Sequence, residues 1–586
     1  MPDRSHHSLP QKLRRYRIDE RLYTLIIAAI IGLLSGYGAV LFRFVIKMAQ
    51  YVFYRSTEDI LNFAHTLPPF AIVVIPALGG LLVGLIVHFG AREAKGHGVP
   101  EVMEAVALRD GRMRKRVAGV KILASAICIG SGGSVGREGP IVQIGSSLAS
   151  TVSQVLDIAR VHQRTMVGCG AAAGIAATFN APIAGVLFAL EVLLGDFGLA
   201  SFSPVVLSSV TATTISRHYF GDFPAFIIPG YTLNSLWEFG IYPFLGVMAG
   251  LVALLFIITL YKAEDLFELL PIPEWLKPAL GGLILGLVLS KWPHVFGVGY
   301  GAINKALLNN LPGLFLCLLI FLKIAATSIT LGSGGSGGIF APSLFIGAMT
   351  GGFFGWIANS LFPGIPASPG AYALVGMGAV VAGTTHAPIT AILIIFEMSG
   401  NYKIILPMMI TCILSTIITV SFKKGSIYTI KLLRRGVDIA GGMEQNILRT
   451  LKVGQFMTRD VPVVGESMKL IDLINTFKRM DVSYLHVVDG NGDLSGIISF
   501  RDVRPLLQEE ALHHLVVARD VATTDLVTVT PDENILTAFQ MMSDSGISQL
   551  PVVSEENGKK LVGTLRDKDI MAAYDKAVIR HEIEGL

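Results

Sequence analysis

At 586 residues the chain is too long for one compact domain, and 52% hydrophobic against 15% charged residues excludes an ordinary soluble protein. The formal net charge is only +4, and its basic residues gather beside apolar segments. That pattern sets membrane topology and excludes a nucleic-acid-binding surface.

Residues 1–20 are polar, and the basic run Lys12, Arg14, Arg15, Arg17, Arg21 leads into the first apolar segment. No small-residue cleavage site follows a short apolar core, so the segment is not a cleaved signal peptide. Basic residues beside the first span place the N-terminus in the cytosol, and Arg109, Arg112, Arg114, Lys115 and Arg116 do the same for a later loop. Apolar segments follow at 22–41, 70–87, 242–260, 313–322 and 404–420. Several are long enough to cross about 30 Å of hydrocarbon at about 1.5 Å per residue. Shorter apolar pieces between them are interrupted by Gly and Pro, of which the chain holds 63 and 27. Broken or re-entrant helices are therefore expected. Cys128, Cys169, Cys317 and Cys412 all sit in apolar stretches, which points to packing and not to disulfides or a metal site.

The segment 121–191 recurs about two hundred residues later as 323–397. Gly130-Ser-Gly-Gly-Ser134 matches Gly332-Ser-Gly-Gly-Ser336, and Gly136-Arg-Glu-Gly-Pro140 matches Gly338-Ile-Phe-Ala-Pro342 at the same offset, as does Lys121 with Lys323. Asn180-Ala-Pro-Ile183 matches His386-Ala-Pro-Ile389, and Glu191 and Glu397 close the apolar helix that follows in each half. Repeats interrupted by Gly and Pro at corresponding positions point to a transport site built from broken helices near the bilayer midplane. Each Gly-rich run precedes an apolar helix, so free backbone N–H groups and the positive end of the helix dipole favour an anion there. Convergent N-termini offset the cost of an anion in the membrane without the full positive charge that would hold it too tightly. Neither run has Walker spacing.

At Gly136-Arg-Glu-Gly-Pro140, Gly338-Ile-Phe-Ala-Pro342 and Gly96-His-Gly-Val-Pro100 the sequence resembles the CLC family of chloride channels and proton/chloride exchangers, with support from Gly170-Ala-Ala-Ala-Gly174 and Phe396-Glu-Met398. The resemblance implies an α-helical polytopic membrane protein with inverted repeats, assembled as a homodimer in membrane lipid with one small-anion pathway per subunit. It implies that Glu138 is the gate, a tethered carboxylate that competes with chloride until protonated. It places anion-binding groups at His97, Gly98, Arg137, Gly139, Ile339, Phe340 and Tyr428, the last through its hydroxyl. Lys121 would raise the potential near the pathway, or snorkel, or pair with an acid.

Two departures bear on function. His97 replaces the family's serine, so the ion meets either an imidazole donor or the backbone alone. Val192 follows Glu191 where proton-coupled members commonly carry paired acids. The expectation is a passive gated channel, with proton-coupled antiport as the alternative, in which case some other cytosolic acid, such as Glu191, would have to relay protons to Glu138. A magnesium transporter is a third reading, but it requires several pore carboxylates and the repeated motifs hold only Glu138. No nucleophile–base pair or metal-ligand cluster suggests an enzyme.

After Gly436 the composition turns charged, with alternating strands and helices from Lys452-Val-Gly-Gln-Phe-Met-Thr458 onward. Leu485-His-Val-Val488 and Gly496-Ile-Ile-Ser499 are echoed by Leu550-Pro-Val-Val553 and Leu561-Val-Gly-Thr564. This α/β part resembles a tandem pair of CBS modules, which implies a cleft for ATP, ADP or AMP, with Ser499 and Asp502 on the ribose. The second copy keeps Asp569 but has Arg566 at the hydroxyl position. The expected organisation is a cytosolic segment 1–20, membrane repeats 21–225 and 226–436, a linker 437–452, and CBS modules 453–510 and 516–577, with both termini cytoplasmic.

Overall fold

The computed structural model describes residues 20–222, 226, 237–363, 367–437, 448–449, 451–480 and 482–574. The run Lys12–Arg17, most of the expected linker and residues 575–577 lie outside these. The chain forms two compact units, Met1–Arg435 and Gly436–Leu586.

The first unit is helical. Among the described residues seven helices are long and apolar enough to cross a membrane: Arg21–Tyr54, Pro69–Phe89, Leu199–Phe220, Glu238–Glu268, Gly313–Gly332, Phe340–Leu361 and Tyr402–Phe422. Leu199–Phe220 and Phe340–Leu361 were not among the apolar segments read from sequence, because Ser and Thr in the one and small residues in the other dilute their hydropathy. Proline opens several helices, where its missing N–H costs nothing: Pro69, Pro182, Pro278, Pro369 and Pro388 all lie in first turns.

The sequence repeat reappears as packing. Helix Pro69–Phe89 crosses helix Lys277–Lys291 at glycines. A Cβ on Gly80 would stand 2.1 Å from the Pro278 carbonyl oxygen, and one on its counterpart Gly282 would stand 2.1 Å from that of Pro76. Without side chains there the two backbones touch, the usual way helices associate where lipid offers no hydrophobic drive. Helix Arg160–Phe179 ends on Asn180 at φ 59°, and helix Pro369–Thr385 ends on His386 at φ 57°. Asn and His are among the residues that tolerate this left-handed conformation. Each turn is followed by Ala-Pro and a new helix, so the matched motifs are the breaks foreseen in the sequence.

The two acids that close these segments reach across the repeat. Glu191 accepts the N–H groups of Ile389 at 3.2 Å and Thr390 at 2.7 Å, together with the Thr390 hydroxyl at 2.6 Å. Glu397 accepts the N–H groups of Ile183 at 3.0 Å and Ala184 at 2.7 Å. Each carboxylate thus caps the helix opened by proline in the other half. Glu191→Ala would orphan two N–H groups and a hydroxyl, and should destabilise the protein by about 1–2 kcal/mol. A thermal melt in detergent should show a lowered Tm for this variant, and an unchanged Tm would contradict the capping role.

The second unit holds two small α/β modules. The first has a three-stranded sheet ordered Val463–Gly465, Tyr484–Val488, Leu494–Ser499, parallel then antiparallel, with helix Leu470–Met480. The second has the antiparallel pair Gln549–Val553 and Leu561–Arg566 with helix Ile535–Ser545. Its expected opening strand shrinks to Val529, which bridges Val552. In the first module the Glu466 N–H donates to the Val488 carbonyl; the equivalent residue in the second is Pro531, which has no N–H to give. The openings of the copies are exchanged. Val453 packs in the second module's core with Val529, Ile535 and Leu550, while Ala518 packs in the first module's core with Leu470 and Leu485.

Candidate functional site

Three glycine-bearing loops of the first unit are laced together through their backbones. Gly136 and Gly338 exchange reciprocal hydrogen bonds of 2.7 and 2.6 Å, and Gly96 pairs with the run beside Ser336 through Gly96 N–H to Gly335 O at 3.0 Å and Gly337 N–H to Gly96 O at 3.3 Å. The corresponding motifs of the repeat therefore meet face to face. From this junction start helices Val99–Leu108, Glu138–Val155 and Phe340–Leu361, with Gly98, Arg137 and Ile339 as their N-caps. None of these N-caps supplies a side-chain acceptor, so first-turn N–H groups stay available. The packing needs glycine: a Cβ on Gly139 would lie 2.2 Å from the His97 carbonyl oxygen, and one on Gly338 would lie 2.7 Å from the Gly139 nitrogen.

Glu138 is the first residue of its helix and is 1% exposed. Its Oε1 accepts the Tyr300 hydroxyl at 3.2 Å. Its Oε2 has no hydrogen-bond partner among the described residues and lies 2.2 Å from where a Gly136 Cβ would stand. The carboxylate is thus folded back over the junction. Arg137 places its guanidinium 5.3 Å from the Tyr300 ring centre. Phe340 is buried with its ring 5.5 Å from that of Phe179, and Ile339 is buried beside it. His97 and Tyr428 are both buried, with ring centres 6.0 Å apart, and His97 Nδ1 has no partner among the described residues. The structure therefore brings His97, Gly98, Arg137, Glu138, Gly139, Ile339, Phe340 and Tyr428 into one neighbourhood.

Lys121 is fully buried and donates to the carbonyls of Ala94 at 3.0 Å and Gly96 at 2.8 Å. Lys323 does the same in the second repeat, to Val295 at 3.2 Å and Gly297 at 2.8 Å. Both ammonium groups tie down the loop that ends in a Gly-X-Gly turn, a holding role that the sequence reading did not include. Val192 stands elsewhere, on the π-helical turn Phe188–Leu194, next to the cap-forming Glu191. Such π turns are rare and concentrate at functional places. Tyr300 was missed in the sequence. The signal was there: it follows Gly297-Val-Gly299, the second-repeat counterpart of Gly96-His-Gly98.

In the second unit a cleft of about 710 Å³ is lined by Tyr484, Ser499, Phe500, Phe539, Met542 and Ser548 among others, a size that suits a nucleotide. Ser499 lies in its wall. Asp502 accepts the Ser499 N–H at 2.8 Å and its hydroxyl at 2.7 Å. In the second copy Asp569 accepts the Arg566 guanidinium at 2.8 and 3.0 Å, and the same guanidinium donates to the Thr458 hydroxyl at 2.8 Å. The Asp569 hydrogen bond raises the Arg566 guanidinium pKa further above its ordinary value.

Comparison with known proteins agrees with this geometry. The family described as voltage gated chloride channel matches residues 79–420, and the CBS domain description matches 453–509 and 518–576. A protein of Ralstonia nicotianae named as a ClcB-like chloride channel is 36% identical over 420 residues, 71% of this chain and 97% of that one. Chloride channel protein CLC-f of Arabidopsis thaliana is 30% identical, covering 84% of this chain and 72% of its own. The crystal structure of a slow cyanobacterial Cl⁻/H⁺ antiporter superposes with a TM-score of 0.65 at 28% identity, covering 72% of this chain and 99% of that one.

Proposed function

The chain belongs to the CLC family of chloride channels and transporters and carries two CBS domains, and from that premise we propose that it is a passive chloride channel whose gate is Glu138. The observation that carries the passive reading is at Val192. The position where a cytosolic proton acceptor would stand holds an aliphatic side chain, and both oxygens of the adjacent Glu191 are committed to the helix opened by Pro388. Among the described residues, neither Val192 nor the adjacent Glu191 offers an entering proton a free carboxylate.

Chloride approaches first-turn N–H groups from three helices, beside His97 and Tyr428, and the Glu138 carboxylate lies over the same junction as its competitor. Donors without full charge bind weakly enough to release, as conduction requires. The curated relatives above are named as chloride channels, in keeping with this reading. Proton-coupled antiport is the second reading, favoured by the 28% identity to the cyanobacterial antiporter. Purified protein in liposomes should pass Cl⁻ and exclude Mg²⁺. Passage of Mg²⁺ without Cl⁻ would overturn the assignment.

The assembly proposed with this function is a homodimer in the lipid membrane with both termini on the cytosolic side. The proposed ligand of the C-terminal modules is an adenine nucleotide, ATP, ADP or AMP, held at Ser499 and Asp502. Asp569, locked to Arg566, contributes a weaker second site or none. Asp502→Ala should weaken binding roughly tenfold, the worth of one hydrogen bond to a charged group. Calorimetry on the full chain in detergent that gives no heat with any adenine nucleotide would refute this part.

A further inference from the structure

Tyr300 is partly buried at the start of helix Tyr300–Leu307, and it is the one side chain whose hydroxyl reaches the Glu138 carboxylate among the hydrogen bonds of the described residues. Its ring does a second job. The Arg137 guanidinium stands 5.3 Å from the ring centre on one side, and Phe226 meets the ring edge-on at 5.1 Å. The same residue thus touches the acid and the cation that flank the loop junction. We propose that Tyr300 is a positioning residue for the gate: its hydroxyl latches the ionised Glu138 side chain over the anion pathway and sets the acidity at which the gate lets go.

The inference rests on the reading of Glu138 as the gate. A phenol donates to a carboxylate more strongly than to a carboxylic acid, so the latch favours the charged, closed form. Other titratable groups face the carboxylate: Arg137 on its own loop, Lys323 from helix Gly313–Gly332 and the neutral Tyr428 hydroxyl, while Arg43 lies near Arg137 and Tyr300. All of them remain when the Tyr300 hydroxyl is removed, so Tyr300→Phe isolates one hydrogen bond. A hydrogen bond to a charged group corresponds to about one to two pH units in the balance between the closed and released forms.

The experiment measures Cl⁻ efflux from proteoliposomes across pH 4 to 8 for the wild type, Tyr300→Phe, Glu138→Gln and the double variant. Tyr300→Phe should move the half-activation pH upward by about one unit, with the acid plateau retained. In the Glu138→Gln background it should change nothing. Replacing Tyr300 by 3-fluorotyrosine, a stronger donor of the same shape, should move the midpoint downward, and this arm decides if Tyr300→Phe folds poorly. If Glu138→Gln keeps the wild-type pH profile, the gate reading fails. If Glu138→Gln flattens the profile while neither Tyr300 substitution moves the midpoint, the latch is wrong and the gate stands. A Tyr300→Phe effect that persists without the Glu138 carboxylate also overturns the latch.

Discussion

Glu138→Gln and Glu138→Ala are expected to raise Cl⁻ flux at neutral pH by at least about tenfold and to remove most of its dependence on pH and voltage. The wild-type carboxylate is held at a helix N-terminus, a charge–dipole contact of about 0.3–2 kcal/mol, and accepts a hydrogen bond of about 1.5–3 kcal/mol from Tyr300. Together these exceed the 1.4 kcal/mol that separates populations tenfold. A neutral amide keeps the shape and loses the charge that, in the proposed gate, competes with the ion, and alanine loses the side chain altogether. Flux measured against pH in both variants is the check. Gating that persists unchanged in both would remove Glu138 from its role.

Much of this site was legible because the chain repeats itself. Gly136, Gly338 and the matched Asn180 and His386 turns announced helix breaks, and the structure puts a helix start or a left-handed turn at each. Local sequence carries such information, since Gly and Pro act on their own backbone. What it could not supply were contacts between residues far apart in the chain. Glu191 and Glu397 were read as matching helix ends, and their exchange of caps across about two hundred residues has no periodic signature. The two buried lysines matched in sequence, yet the carbonyls they hold lie well upstream of each. The second unit gives the same lesson. Its two copies were recognisable, but the exchange of their opening segments between cores was not, because the swapped segments keep the pattern they would have had unswapped.

The second large effect concerns coupling. Exchange requires that protons reach Glu138 from both sides, and on one side the route would start at Val192 and the cap-bound Glu191. Breaking that cap to free a carboxylate would cost about 1–2 kcal/mol and orphan the Thr390 hydroxyl. Val192→Glu alone is not expected to create exchange, since a proton path needs more than its entrance. Without exchange, ion movement is set by the anion gradient only.

The most direct test is the reversal potential of the purified protein in a planar bilayer or proteoliposome, with a fixed tenfold Cl⁻ gradient and an imposed pH gradient. A passive channel reverses at the chloride equilibrium potential, about 59 mV for a tenfold gradient of a singly charged ion, and stays there when the pH gradient is added or inverted. A coupled exchanger reverses at a potential fixed by both gradients. The value at the chloride equilibrium potential, unmoved by pH, is the expected result. A shift with the pH gradient, or uphill proton movement driven by chloride, would contradict the passive channel.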